Sequence, residues 1–328
     1  MDAKITKERL SRMLSYDWLK IVGIAAAAIV VWMLVFTMTA TRITVTQQFT
    51  VVNYYGNVAT TNTKFSETLS NALDKGVFSY EILETTEVDA PGSGEYAGQV
   101  LEARFSTHEG DLIFVPDIIY EDTEYEVNGE KKYDTYVQHL VKSYGAVLMN
   151  LDPEAENGYF KQLEAYLNGY YDGGYENGTL NEAKVEADFR ARVVKDKRYK
   201  KEAQLVQGVT DDIARIEKYR AALIEFYGYL ESGLVQPTKT VISDPTTNEV
   251  LLEGVYSINL CPDKETMGGL SNVAAYLAIF TNDAGEEKQA LSAENMNVAL
   301  FDFSEVEEGF QYEGLLYINY VIRTVKTA

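Results

Sequence analysis

Apolar and polar positions follow three different periods along this chain. Residues 21–40, IVGIAAAAIVVWMLVFTMTA, are apolar on every face and carry no charge. As a helix rising about 1.5 Å per residue they reach about 30 Å, the thickness of a bilayer's hydrocarbon core. From residue 44 onwards, strand-like and helical stretches alternate. TVTQQFTVVNYY at 44–55 is rich in β-branched and aromatic residues and stops at Gly56-Asn57, a strand followed by a turn. KFSETLSNALDK at 64–75 places Phe65, Leu69, Ala72 and Leu73 on one helical face ahead of Gly76. Residues 77–88 read as a strand ended by Pro91-Gly92-Ser93-Gly94, residues 96–106 as a short helix, and DLIFV at 111–115 as a buried strand. A β-α-β-α-β order with crossovers of this length predicts parallel strands in an open sheet.

From about Thr135 the helical period takes over. Val137, Leu140, Val141, Tyr144, Val147 and Leu148 form one stripe, residues 159–171 a second helix, and residues 181–207 and 211–231 two longer ones divided at Gly208. Pro237 ends this section. Residues 241–243 and 250–252 flank a turn at 244–248, and GVYSINL at 254–260 is a strand. Residues 270–280 fit strand or helix equally, and residues 293–303 read as a passage from helix to strand. Residues 311–325 are apolar nearly all round, which predicts a buried C-terminal helix, although their β-branched content also admits a strand.

Charge orients the apolar run. Lys4, Lys7, Arg9, Arg12 and Lys20 precede it and only Arg42 follows closely, so the head is expected in the cytoplasm and the bulk outside. Tyr16 and Trp18 stand where amphipathic rings favour the headgroup level. A cleaved signal peptide has an apolar core of about 7–15 residues and small residues at the cleavage site. This run is longer, and Met38 occupies the minus-three position before Ala40, so an uncleaved anchor is expected, with the lipid bilayer as its partner. The chain then divides into a basic head (1–20), a signal-anchor helix (21–40), the first part of an α/β lobe (41–134), a helical lobe (135–236) and the returning part of the α/β lobe (237–328).

Six of the 29 Lys and Arg and three of the 50 Asp and Glu lie in residues 1–42, leaving 23 basic against 47 acidic residues beyond them, a net charge of −24. Such a field repels phosphates and excludes a general nucleic-acid binder. A single cysteine, Cys261, allows no internal disulfide, so the exported part depends on its core, as on a bacterial cell surface.

Catalytic signatures are missing. His108 stands beside Glu109 and Asp111, and a metal or acid–base role competes there with an ordinary surface loop; no second histidine accompanies it at ligand spacing. His139 reads as a packing or surface residue and Cys261 as a small buried hydrophobe. Gly92-Ser93-Gly94 to Gly98 is one residue too long for a dinucleotide fingerprint. The acidic turn at Asp152 fails the calcium-loop spacing. Glu294 and the acids at 305, 307 and 308 default to solvated carboxylates. The chain is therefore expected to be a non-enzyme with no cofactor or metal. Two clusters suit recognition instead. Tyr166, Tyr170, Tyr171 and Tyr175 crowd a helix end, where tyrosine faces stack on sugars or grip peptides, unless they pack inward. Arg190, Arg192, Lys195, Lys197, Arg198, Lys200 and Lys201 surround Asp196, a run that suits a solvated helix face, lipid headgroups or an acidic partner.

Residues 48–118 resemble the opening of a solute-binding protein with the type-2 periplasmic-binding fold. The resemblance rests on the strand Phe49-Thr50-Val51-Val52, the helix end Asp74-Lys75-Gly76, a strand at 77–83, and Ala103-Arg104-Phe105-Ser106 leading into Glu109-Gly110-Asp111 and its aliphatic strand. That last step lacks the family's proline. The resemblance implies two lobes, one mainly helical, with Asp111 capping a strand near a cleft between them. It further implies a small solute, a sugar or peptide, delivered to the permease subunits of an importer. The alternatives are a non-ligand-binding accessory subunit holding another membrane complex and, ranked after it, a surface hydrolase.

Overall fold

In a computed structural model of the chain, the apolar run lies within one helix, α1 (Lys7–Thr39), which is longer than the run because it also takes in the basic segment from Lys7. Trp18–Thr37 is long and apolar enough to cross a membrane, and none of it is buried in protein. The structure describes residues 7–39, 45–54, 59–63, 65–89, 96–119, 125–127, 130–132, 134–244, 246–263, 268, 270, 274–281, 287–293, 295–303 and 309–326. Ala40, the Gly92–Ser93–Gly94 turn, Glu294 and the acids at 305, 307 and 308 lie outside them. By their internal contacts, Met1–Thr44 and Val45–Ala328 are separate units.

The second unit is mixed α/β. Its main sheet holds β1 (Gln48–Asn53), β2 (Glu84–Asp89), β3 (Leu112–Pro116), β4 (Gln236–Ser243), β5 (Val250–Asn259) and β6 (Met296–Leu300), in the order β2-β1-β3-β6-β5-β4. β1 pairs in parallel with β2 and β3, as the alternation predicts; Phe49 faces Thr85 and Val52 faces Ile113. The crossovers are α2 (Phe65–Asp74) and α3 (Ala97–Ser106). β6, β5 and β4 then extend the sheet antiparallel, so strands from both ends of the unit share it.

Stepping from β1 to β2 and back across to β3 with right-handed crossovers puts α2 and α3 on opposite faces. The alternation of β1 agrees. Phe49 packs on Phe78 and Tyr317, with ring centres 4.5 and 5.6 Å away. On α3, Phe105 packs on Tyr144 and Phe301.

The remaining helices are α4 (Tyr136–Tyr144), α5 (Tyr159–Asn168), α6 (Glu182–Arg192), α7 (Glu202–Glu231) and α8 (Glu313–Val321). α4 starts where Thr135 and Gln138 cap each other. α8 is buried at every residue and touches α2 and α7. Side chains surround it on all sides, a setting that a helix satisfies with its own backbone hydrogen bonds. One continuous core joins the sheet residues Val51 and Phe114 to Leu163 and Phe226 of the helical section.

Three sequence readings shift. Residues 77–83 are not a strand; the strand is β2. The Ser79 N–H donates to the Glu313 carboxylate and the Phe78 carbonyl accepts from Lys218, while the Val77, Ile82 and Leu83 N–H groups donate to the Ala72, Tyr80 and Gln47 carbonyls, so this backbone is satisfied without a strand ladder. Residues 293–303 contribute β6 with no helix described, and the reading left open at 270–280 is resolved at 274–281 as a strand between Ala59–Thr63 and Glu287–Ser292.

The third shift concerns Gly208, which does not divide two helices. The break falls after α6, and α7 runs through Gly208 without interruption. A Cβ there would lie 2.3 Å from the Phe189 ring and 2.7 Å from that of Tyr199, so this glycine lets α6 and the turn after it approach α7. Gly208→Ala is expected to destabilise by about 1–3 kcal/mol through overpacking, read by chemical denaturation, even though alanine is the better helix former.

Candidate functional site

Asp111 is placed by the turn that ends α3. The Glu109 N–H donates to the Arg104 carbonyl and the His108 N–H to that of Phe105, closing the helix with His108 in the left-handed region at φ 56°. Gly110 follows at φ 141°, where a Cβ would meet the Phe301 ring at 3.0 Å. The chain thus passes close under an aromatic ring and delivers Asp111 to the start of β3. Its N–H donates to the Thr50 carbonyl, and the Thr50 N–H donates to its Oδ2 at 2.6 Å.

Asp111 lies at the base of a cleft of about 590 Å³. One wall is a ring stack: His108 lies on Phe303 with centres 5.2 Å apart, and Phe303 on Phe301 at 5.2 Å. The other walls carry hydrogen-bonding groups from the edge of the sheet and from α5, among them Gln48, Thr86 and Gln162, with the carboxylates of Glu84 and Asp302. Arg104 is ion-paired to Glu109 at 2.8 Å. Asp111 keeps part of its surface open to the cleft. Enclosure of the rest pushes its carboxyl up to about 7; the Thr50 hydrogen bond opposes this and the nearby Glu313 adds to it.

Glu313 itself is fully buried. Its carboxylate accepts from the Ser79 N–H at 2.8 Å, from the Ser79 hydroxyl and from Tyr219 Oη at 2.6 Å. Burial raises its pKa and those three donors pull it back.

The tyrosines singled out by sequence do not line this cleft. Tyr170, Tyr171 and Tyr175 are buried. Tyr166 packs edge-on against Tyr170 and Tyr219. They form part of the aromatic core between α5 and α7. The basic run divides. Arg190 is held on the surface by Glu186 and Glu202 at 2.8 and 2.6 Å. Lys195, Lys197, Lys200 and Lys201 are exposed. Arg192 and Arg198 instead line a second cleft, of about 580 Å³, together with Arg215 and Lys218 of α7.

Sequence reasoning passed over Gln48, Thr50, Glu84 and Thr86. Their signal is the strand period: polar residues at 48 and 50 alternate with buried Phe49 and Val51. It also passed over Glu313, a lone acid in an apolar run. His139, read as packing or surface, lies half-buried with its ring stacked on Tyr54. Among the described residues, no three His, Cys, Asp or Glu are grouped to hold a metal ion. No family model, curated protein or solved structure matches the chain.

Proposed function

We propose that this chain is a single-pass, membrane-tethered binding module. Its basic head lies in the cytoplasm and residues 45–328 lie outside, and it takes a small polar solute in the Asp111 cleft as the binding component of an importer does. The observation that carries the reading is the composition of that cleft. An aromatic stack faces hydrogen-bonding amides, hydroxyls and carboxylates in a volume typical of small-molecule sites. Rings supply flat apolar contact for a sugar ring or peptide side chain, and carboxylates accept from hydroxyl or ammonium donors. The recognition surface is this cleft and not the buried tyrosine cluster.

The test is a thermal-shift and calorimetric screen of the full-length protein in neutral detergent against sugars, amino acids and short peptides. One class is expected to stabilise the protein, and no stabilisation by any of them sinks the reading. His108→Gly sharpens it. Glycine relieves the left-handed strain of about 1–2 kcal/mol but adds about 0.5–1 kcal/mol of chain entropy, so stability stays within about 1 kcal/mol. Loss of the ring should still weaken the ligand about tenfold, the equivalent of one aromatic contact.

A further inference from the structure

The second cleft shares no lining residue with the proposed solute site and has a different chemistry. Within a part of the chain carrying −24, it gathers Arg192, Arg198, Arg215 and Lys218 around one concavity, with Glu81 and Asp211 as the acids on its walls. Two of the arginines are fixed in place. Asp212, 1% exposed, accepts from Arg192 Nη2 at 2.8 Å and from Arg215 Nη1. The Arg215 guanidinium also lies 3.8 Å above the Tyr80 ring, and its Nε is buried without a hydrogen-bond partner. A guanidinium offers five N–H donors, so the shared carboxylate and the unpartnered Nε leave donor capacity on Arg215. Arg198 is held by Asp196 through three side-chain contacts, at 3.2, 2.9 and 2.7 Å. Lys218, fastened to two carbonyls, is pushed down in pKa by burial.

Arginine forks held by a buried carboxylate and an aromatic face are preorganised to grip two oxygens of a carboxylate or phosphate group at once. We infer that this cleft is an anion site for a phosphate-bearing ligand, gripped by Arg192, Arg198 and Arg215. The phosphate belongs either to a soluble phosphoester or to a lipid headgroup. Thr46 and Gln47, which follow the apolar helix closely in the chain, form part of the wall, so both sources are tested.

The experiment titrates the full-length protein in neutral detergent with inorganic phosphate and with glycerol phosphate, against sodium chloride at matched ionic strength, following thermal stability. In parallel, the protein is placed in nanodiscs of zwitterionic lipid with and without anionic phospholipid. Stabilisation by soluble phosphate above chloride, weakened about tenfold or more in Arg198→Gln and Arg192→Gln, supports a soluble ligand. Stabilisation only by anionic lipid, lost in the same variants, supports a headgroup. Arg198 lies largely on the surface, so its variant reads binding even if Arg192→Gln folds poorly. Stabilisation by neither, or an effect equal to chloride and retained in Arg198→Gln, overturns the inference.

Discussion

Asp111→Asn is expected to leave stability nearly unchanged at pH 4 and to raise it above the parent's at pH 8. Enclosure pushes the folded carboxyl up to about 7 from the 3.8 of an unperturbed aspartate. Between those values the folded state holds a proton that the unfolded chain has released, so stability falls as pH rises. The full contribution is present below pH 3.8 and has been lost once pH passes 7. A gap of this size corresponds to as much as ~4 kcal/mol, less to the extent that cleft water screens the charge. Asparagine imitates the protonated form: it keeps an acceptor for the Thr50 N–H and has no charge to bury. Urea unfolding of parent and variant at pH 4, 6 and 8 should show curves that meet at the acid end and diverge towards pH 8. A constant offset across that range, or a parent more stable than the variant at pH 8, would remove Asp111 as the source of the effect.

Local period and punctuation explain what could be read from the chain before its structure. The α2 stripe of Leu69, Ala72 and Leu73 stops at Gly76, and Gly76 does adopt φ 62° there. The alternation around it predicts β1, β2 and β3 in parallel because a parallel neighbour needs a crossover of this kind. What misled were residues whose role is set from far away. Gly208 looks like a helix stop because glycine is a poor helix former, but the close approach of Phe189 and Tyr199 is a tertiary fact. Residues 77–83 have strand composition, yet Glu313 and Lys218, more than 130 positions later, take up the Ser79 N–H and the Phe78 carbonyl. Tyr170, Tyr171 and Tyr175 suggest a binding face because tyrosine serves surface and core alike, and only burial distinguishes the two. The cleft itself was half legible. Asp111 was found through the turn before its strand, while its ring wall comes from Phe301 and Phe303, brought alongside by β6 pairing with β3.

Glu313→Ala should be among the most damaging single changes to the second unit. The carboxylate is 0% exposed and is the acceptor for a backbone N–H and two hydroxyls. Alanine leaves the Ser79 N–H without that acceptor and opens a cavity beside Tyr219. Unsatisfied buried donors at about 1–3 kcal/mol each, with the cavity added, give about 3–5 kcal/mol. Glu313→Gln keeps the volume and one acceptor oxygen, so its loss is expected at about 1–2 kcal/mol. Tyr219→Phe removes one donor only and belongs in the same range. The same substitution has a second readout in the Asp111 cleft. Glu313 helps to hold the Asp111 carboxyl up, so Glu313→Gln should lower the Asp111 titration midpoint, followed by carboxyl-carbon NMR in the folded variant. A structural role confined to Ser79 and Tyr219 would change stability and leave that midpoint where it was. An alanine variant within about 1 kcal/mol of the parent would contradict the network outright.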